Sequence, residues 1–592
     1  MRETLIALRR AMQAAGVDAY VIPTDDFHGS EYVGDYFKCR KYVSGFTGSA
    51  GTLVVTADMA GLWTDGRYFL QAAQELRDSG IDLMKMGEKD TPSIKAFLAD
   101  RLVPGQTLGF DGRTMTLQSG RELETAMEKH GISLRQDLDL VGEIWRDRPS
   151  LPGGEAWALP ASYAGKGRKD KLGGLRREME ALGADTHILT SLDDICWLLN
   201  LRGDDVECCP VILSFLIMDG SGVRLYMDEK KLHPKLRGFL EADGVKLLPY
   251  LQIFSDVGEI SPDAKVLLDP EKVSYAIVRR LPETAVVIEK ANPTERAKAV
   301  KTQAEQDNMR AAHVKDGVAL VKFTKWLKEH VGKVPMTEIS AAEKLESLRA
   351  AQDFYHGPSF DPIFGYGPHG AIVHYSATQE TDAAIAPEGF LLFDTGGHYL
   401  EGTTDVTRTV ALGPVTAEMK RHFTLVLKGH LRLLGAKFRQ GCSGVSLDIL
   451  ARQPLWEAGL DYNHGTGHGV GYLLSVHEGP QRIHYNTATV PAKLEPGMIT
   501  SDEPGLYLTG QYGIRHESLL LCVEKETNEF GTFLGFEPLT MCPFDLDAVD
   551  PDLMTREEKD LLNDYHQRVF ETISPYLCEK GTAWLKNATR PI

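Results

Sequence analysis

The sequence predicts a mixed α/β (α+β) protein of three domains, and three observations carry that expectation. At 592 residues the chain exceeds what one hydrophobic core ordinarily serves. A helix-then-strand pattern near the N-terminus recurs in the second quarter of the chain. Beyond residue 294 the pattern changes to a long helix followed by glycine-bounded strands, which hold nearly all the clustered His, Asp and Glu.

The chain opens as an amphipathic helix (Leu5, Leu8, Met12) carrying arginines, unlike the charged-then-apolar order of a secretion leader. Leu8-Arg9-Arg10-Ala11-Met12 runs on through Gly16-Val17-Asp18-Ala19 to a strand-like Tyr20 to Ile22 and then Thr24-Asp25-Asp26. Leu175-Arg176-Arg177-Glu178-Met179 runs on through Gly183-Ala184-Asp185-Thr186 to His187–Thr190 and then Leu192-Asp193-Asp194. Two long copies imply a duplicated α/β domain, since a solenoid needs shorter and more numerous repeats. The first boundary falls near Asp147 to Gly154, where Arg-Pro-Ser-Leu-Pro-Gly-Gly continues neither helix nor inner strand. The second falls at Asn292-Pro293, giving domains 1–150, 151–293 and 294–592. The third opens with one long helical pattern, Thr294 to His330 (Met309, Val314, Val318, Val321, Phe323, Leu327). Near the C-terminus Thr555 and Glu558 have capping-box spacing ahead of Leu561, Leu562 and Tyr565.

Composition narrows the function. A net charge of −18 argues against a nucleic-acid partner, which would select a basic stripe. The longest apolar run, Pro210 to Met218, is strand-sized, so no membrane span is expected. The eight cysteines lack metal-site spacing, which favours a reduced, cytoplasmic protein.

Two motifs mislead. Gly365-Tyr-Gly367-Pro-His-Gly370 fits a dinucleotide fingerprint as a string, yet Pro368 and a strand-like Ala371 to Tyr375 follow where a helix must begin. His464 and His468 stand four apart, but the interleaved glycines make a helix costly, so a loop or strand is expected.

The chemistry lies in polar groups on apolar strands. Leu391-Leu392-Phe393 ends in Asp394; after a turn near Glu401-Gly402 the chain returns as an alternating strand bearing Asp405. Two carboxylates on adjacent hairpin strands repel and are costly to desolvate, so they need a cation or a salt bridge, for which Arg408 is available. His468 sits among glycines, Glu503 ends a strand, and Glu517 precedes one. Four carboxylates and one imidazole exceed what one divalent ion needs and suit two, with manganese, cobalt or iron favoured and zinc permitted.

These five segments resemble the pita-bread metallopeptidases, with ligands in the order Asp, Asp, His, Glu, Glu. Gly402-Thr-Thr-Asp-Val-Thr-Arg-Thr409, His464-Gly-Thr-Gly-His-Gly-Val-Gly471 and Val476-His477-Glu478-Gly479-Pro480 resemble the long, three-domain cytosolic Xaa-Pro aminopeptidases, as do Gly45-Phe-Thr-Gly-Ser-Ala-Gly51, Trp63-Thr-Asp-Gly-Arg67 and Phe536-Glu-Pro-Leu-Thr540. The resemblance implies two creatinase-type N-terminal domains ahead of a pita-bread catalytic domain. It implies that Asp394 binds one metal, that Asp405 and Glu517 bridge two, and that His468 and Glu503 complete the second. It makes Glu503 the proton carrier, and Arg67, His374, His464, His468, His477 and Arg515 the groups around the substrate, with His374 and His477 stabilising the oxyanion and Arg515 behind the ligands. The implied activity is cleavage between an N-terminal residue and a following proline by a hydroxide bridging two divalent ions, manganese first among them. A homodimer is implied as well, with Trp584 to Ile592 as a contributor. A prolidase acting on Xaa-Pro dipeptides, or an inactive peptide-binding module, is the alternative. His516 stands where the family carries an aliphatic residue.

Overall fold

The computed structural model describes residues 2–486 and 490–592. The chain divides into two compact units, residues 1–161 with 166–295, and residues 162–165 with 296–592.

The first unit contains the duplication. The opening helix, Glu3–Ala15, buries Leu5, Leu8 and Met12 against a six-stranded sheet. That sheet runs 82–85, 60–64, 52–56, 19–23, 107–110, 133–135. The second sheet runs 245–248, 222–226, 215–219, 186–189, 265–268, 286–289, the same strand order counted within its copy. Pairing senses match too. In each copy the first strand is antiparallel to the second and parallel to the fifth. The helix Arg168–Ala181 buries Leu172, Leu175 and Met179, the counterparts of the opening helix's apolar stripe. His28 ties the copies together: its Nδ1 lies 2.9 Å from the Thr190 carbonyl and its Nε2 2.7 Å from the Tyr250 hydroxyl.

Residues 293–330 form two helices where the periodicity alone suggests one. Pro293–Ala299 ends, and Gln303–His330 starts afresh. The break has a local cause: Thr302 accepts the Glu305 N–H while Glu305 reaches back to the Thr302 N–H, a complete capping box. Val300 meanwhile bridges to Met498. The C-terminal helix, Arg556–Ile573, has the capping box of Thr555 and Glu558 that the spacing predicts. Strands 363–366, 390–395 and 406–411 form one antiparallel sheet. A six-stranded sheet runs 437–439, 531–538, 518–528, 499–502, 467–469, 478–483. Strand 406–411 is buried at every residue, so the expected alternation of exposure is absent. Residues 372–375 are no strand: Gly367–Ala371 is a 3₁₀ turn, and no regular element follows before Phe390. The helices Ala417–Leu434 and Gly444–Trp456 cover the sheets through Phe423, Val426, Leu427, Leu431, Leu447 and Leu455. No helix among the described residues is long and apolar enough to cross a membrane.

Candidate metal centre

Strand register brings the five candidate ligands together. Asp394 pairs across the sheet with Thr407, and Asp405 precedes that same strand. Glu503 follows strand 499–502 and Glu517 precedes strand 518–528, and these two strands pair Asp502 with Ser518. The Glu517 N–H donates to the Thr407 carbonyl at 3.0 Å, joining the two sheets at this point. His468 occupies the middle of strand 467–469, a strand and not a helix, as the glycines require.

One ligand atom each from Asp405, His468 and Glu517 lies within 4.8 Å of the other two. His468 Nε2 stands 3.4 Å from Asp405 Oδ2 and 3.5 Å from Glu503 Oε1. Asp394 Oδ1 is buried with no hydrogen-bond partner among the described residues, while its Oδ2 takes the Arg515 guanidinium at 2.6 Å. Burial pushes the Asp394 carboxyl up in pKa, with Arg515 opposing. Burial likewise raises Glu503, opposed by His468. Glu517 is raised furthest, by burial and then by the charges of Asp405, Asp394 and Glu503. Burial works against charge on His468, yet its bond to Asp405 and the field of Glu503 push its pKa up to about 9. This is the signature of carboxylates crowded together with too little positive charge, which a divalent cation would relieve. The donors present, oxygen-rich with one imidazole, fit such ions.

The salt bridge offered by Arg408 is not formed. Its guanidinium donates instead to the carbonyls of Thr407, Glu517 and Cys542 and to the Tyr565 hydroxyl, over the Phe544 ring at 4.1 Å. It therefore holds the backbone beneath the site and pairs with none of the carboxylates. Arg515 reaches Asp394 on one side and the Tyr507 hydroxyl, at 2.7 Å, on the other. That hydroxyl also meets His464 Nε2 at 2.8 Å, so Tyr507 links a candidate substrate residue to a candidate ligand. Sequence reasoning missed Tyr507, and the aromatic in Gly505-Leu-Tyr507-Leu, three residues past Pro504, was the available signal. The His477 ring stands edge-on to His468 with centroids 4.3 Å apart. His374 follows Val373, whose carbonyl lies 3.4 Å from Arg515. Arg67 belongs to the first unit, where its guanidinium forks onto Asp65 at 2.9 and 2.8 Å.

The glycines around His468 serve the protein more than a ligand. A Cβ at Gly467 would meet the Ser501 carbonyl, one at Gly469 the Glu478 carbonyl, and one at Gly471 the Ser475 carbonyl. They let neighbouring backbones close around the imidazole. His516 is fully buried between Phe423, at 4.3 Å, and Phe544, at 5.4 Å, and burial followed by Arg408 holds it neutral. It fills the place of an aliphatic side chain without placing a charge behind Glu517.

Comparison with known proteins places this geometry. The model of metallopeptidase family M24 matches residues 307–524, and that of its C-terminal region matches 532–592. The creatinase/prolidase N-terminal domain matches twice, at 5–141 and 147–305. A probable Xaa-Pro aminopeptidase P of Sordaria macrospora is 40% identical over 100% of this chain and 99% of its own. The crystal structure of X-prolyl aminopeptidase from Caenorhabditis elegans, described as a cytosolic enzyme with a di-nuclear active site, superposes with a TM-score of 0.95 at 36% identity, covering 100% of this chain and 99% of that one. A prolidase of Pyrococcus horikoshii shares the fold over 64% of this chain and 99% of its own, with a TM-score of 0.50 at 20% identity. Two creatinase-type domains, a pita-bread domain and full-length similarity to these aminopeptidases lead to one assignment: the chain belongs to metallopeptidase family M24, within its Xaa-Pro aminopeptidase P group.

Proposed function

We propose that this enzyme hydrolyses the bond between an N-terminal residue and a following proline, using two divalent metal ions. The observation that carries the reading is the convergence of Asp405, His468 and Glu517, with Asp394 and Glu503 against them, in a chain similar over its whole length to Xaa-Pro aminopeptidases. Asp394, Asp405, His468, Glu503 and Glu517 would hold the ions. Manganese is the ion we favour, ahead of cobalt, zinc or iron. Bound there, the ions supply Lewis acidity and a nucleophilic hydroxide at neutral pH.

The chain's own groups do the rest. Glu503 takes the proton of the attacking water and delivers it to the leaving proline nitrogen, base and then acid. His374 and His477 donate to the carbonyl oxygen as negative charge develops on it. His464 orients the peptide and is itself held by Tyr507. Arg515 fixes the Asp394 carboxylate by a charge-assisted bond. A proline nitrogen carries no hydrogen once acylated, so the site needs no acceptor for it.

A prolidase is the competing reading. The second creatinase-type domain argues against it, since the prolidase fold covers only 64% of this chain. We further place the enzyme in the cytoplasm and expect a homodimer. The exposed Trp456 and Tyr485, whose ring centroids lie 6.0 Å apart, offer an apolar surface for a second copy. The deciding experiment compares turnover of an Xaa-Pro dipeptide with that of an Xaa-Pro-Yaa tripeptide and longer peptides. Efficient cleavage of the longer substrates supports the proposal, and cleavage of the dipeptide alone refutes it. Chelation should abolish activity and added Mn²⁺ should restore it; indifference to a chelator would remove the metal site from the mechanism.

A further inference from the structure

His374 lies in a stretch that regular secondary structure does not hold. Between the 3₁₀ turn Gly367–Ala371 and the strand starting at Phe390 there is neither helix nor strand. Besides local backbone turns, side chains tie it down, and one of them binds it together with the strand end and 3₁₀ turn that precede it. Glu338, the first residue of the helix Glu338–Arg349, is fully buried. Its Oε1 accepts the Tyr366 N–H at 2.7 Å and faces His369 Nδ1 at 2.9 Å. Its Oε2 accepts the Tyr375 hydroxyl at 2.8 Å and the Ala383 N–H at 3.1 Å. These four donors come from both ends and the middle of the segment 366–383. The His369 and Tyr375 rings stack on each other, 4.4 Å between centroids, closing the knot.

A buried carboxylate is costly to desolvate, and stays buried only where donors satisfy it. Here the donors all belong to the segment that carries His374, with His374 directly preceding the Tyr375 that is bound. On its other flank Val373 meets Arg515, which holds Asp394. The segment is thus gripped from one side by the metal-ligand network and from the other by a carboxylate outside it. We propose that Glu338 is a positioning residue, which fixes the 366–383 segment so that His374 is presented to the substrate carbonyl. It touches no ligand and no reacting atom, and it acts through His374.

The inference rests on the aminopeptidase reading, so the test begins with wild-type turnover of an Xaa-Pro-Yaa tripeptide by the Mn²⁺-loaded enzyme. Absence of that turnover would sink both. With the wild type active, kcat/KM is measured for Glu338→Gln, Tyr375→Phe, His374→Ala and the two pairings with His374→Ala, using micromolar enzyme for the slow variants. Glu338→Gln keeps the shape but turns an amide N–H₂ towards donors; Tyr375→Phe removes one tether and leaves the buried carboxylate in place, so it reports even if the first variant folds poorly. The expected result is a loss of tenfold or more in kcat/KM for Glu338→Gln and a smaller loss for Tyr375→Phe, at unchanged metal content. Both losses should vanish in the His374→Ala background, because the residue through which they act is gone. A general structural role would cost the same in both backgrounds. Losses that simply multiply, or wild-type kcat/KM in Glu338→Gln, would overturn the proposal.

Discussion

Alanine at Gly467 separates the two roles that the glycines around His468 could have. A Cβ built at this position stands 2.0 Å from the Ser501 carbonyl oxygen, whereas ordinary contact begins at 3.4 Å. Strands 467–469 and 499–502 would therefore have to part by about 1–1.4 Å, since a carbonyl in a sheet cannot swing aside as a long side chain can. His468 is the next residue, and its N–H donates to Ser501 Oγ at 2.9 Å. Glu503 follows at the end of the facing strand, so the imidazole and the carboxylate, 3.5 Å apart, would be driven away from each other. Overpacking of this kind costs about 1–3 kcal/mol of stability. Displacing catalytic groups by about 1 Å costs on the order of 10²-fold in rate. Gly467→Ala should thus lower kcat/KM on an Xaa-Pro-Yaa tripeptide by about 100-fold and weaken Mn²⁺ binding, with a modest fall in melting temperature. The control is Gly465→Ala, whose Cβ would lie 3.4 Å from His484, an ordinary contact, and which should be nearly silent. Steady-state rates, metal titration and thermal melts on the same preparations decide the matter. Wild-type kinetics in Gly467→Ala would refute the argument, as would an equal loss in Gly465→Ala, which would point to a ligand against the loop.

Two further predictions concern stability. His566 accepts the Phe544 N–H at 3.1 Å, and burial, followed by Arg408, lowers its pKa to about 3. Unfolded, it takes a proton near pH ~6.5. Its contribution is therefore complete above that pH and is lost as pH falls towards 3, with a slope of up to about 1.4 kcal/mol per pH unit. His566→Gln, which keeps an acceptor but cannot charge, should flatten urea-denaturation stability between neutral pH and about pH 4.5, and an unchanged slope would contradict the assignment. Arg349→Met strands Asp316, whose carboxylate it meets at 2.7 Å with both side chains buried. That should cost about 3–5 kcal/mol. Because Arg349 also holds Thr395 and the Gly396 carbonyl, next to Asp394, it should weaken metal affinity as well; loss of stability alone, at unchanged affinity, would show that the anchoring does not reach the ligand.

Local sequence carried much of the fold because each signal had a local cause. The apolar stripe Leu5, Leu8, Met12 and the copy bearing Leu175 and Met179 announced two helices packed on equivalent sheets, and the sheets share one strand order. The capping box at Thr555 was legible for the same reason, and the one at Thr302 was equally legible and passed over. There the apolar periodicity ran through the break and masked it. Strand 406–411 misled in the opposite way. Its Thr and Arg side chains suggest a solvated face, but Thr407 and Thr409 bond to Glu517 and to the backbone at Arg515, so polar residues line a buried seam.

The candidate ligands were legible because a carboxylate closing an apolar strand is costly, and cost is visible in sequence. What compensates the cost was not. Arg408, nearest in sequence to Asp405, spends its five donors on carbonyls and hydroxyls, while Arg515, 121 residues from Asp394, makes the ion pair. Proximity along a strand says which face a side chain shares, and here strand register set the partner instead. Tyr507 makes the same point: its hydroxyl matters because a hairpin brings it under Arg515 and beside His464. With Arg515 satisfied by Asp394 Oδ2 and Tyr507, Asp394 Oδ1 still has no donor among the described residues. Glu517 stays raised by three neighbouring carboxylates, against which it has the hydroxyl of Thr407. One guanidinium and one imidazole leave four carboxylates short of positive charge even with the imidazole protonated, and no further cationic side chain among the described residues is paired with them, so the charge that the folded chain leaves unbalanced is itself an argument for bound divalent metal.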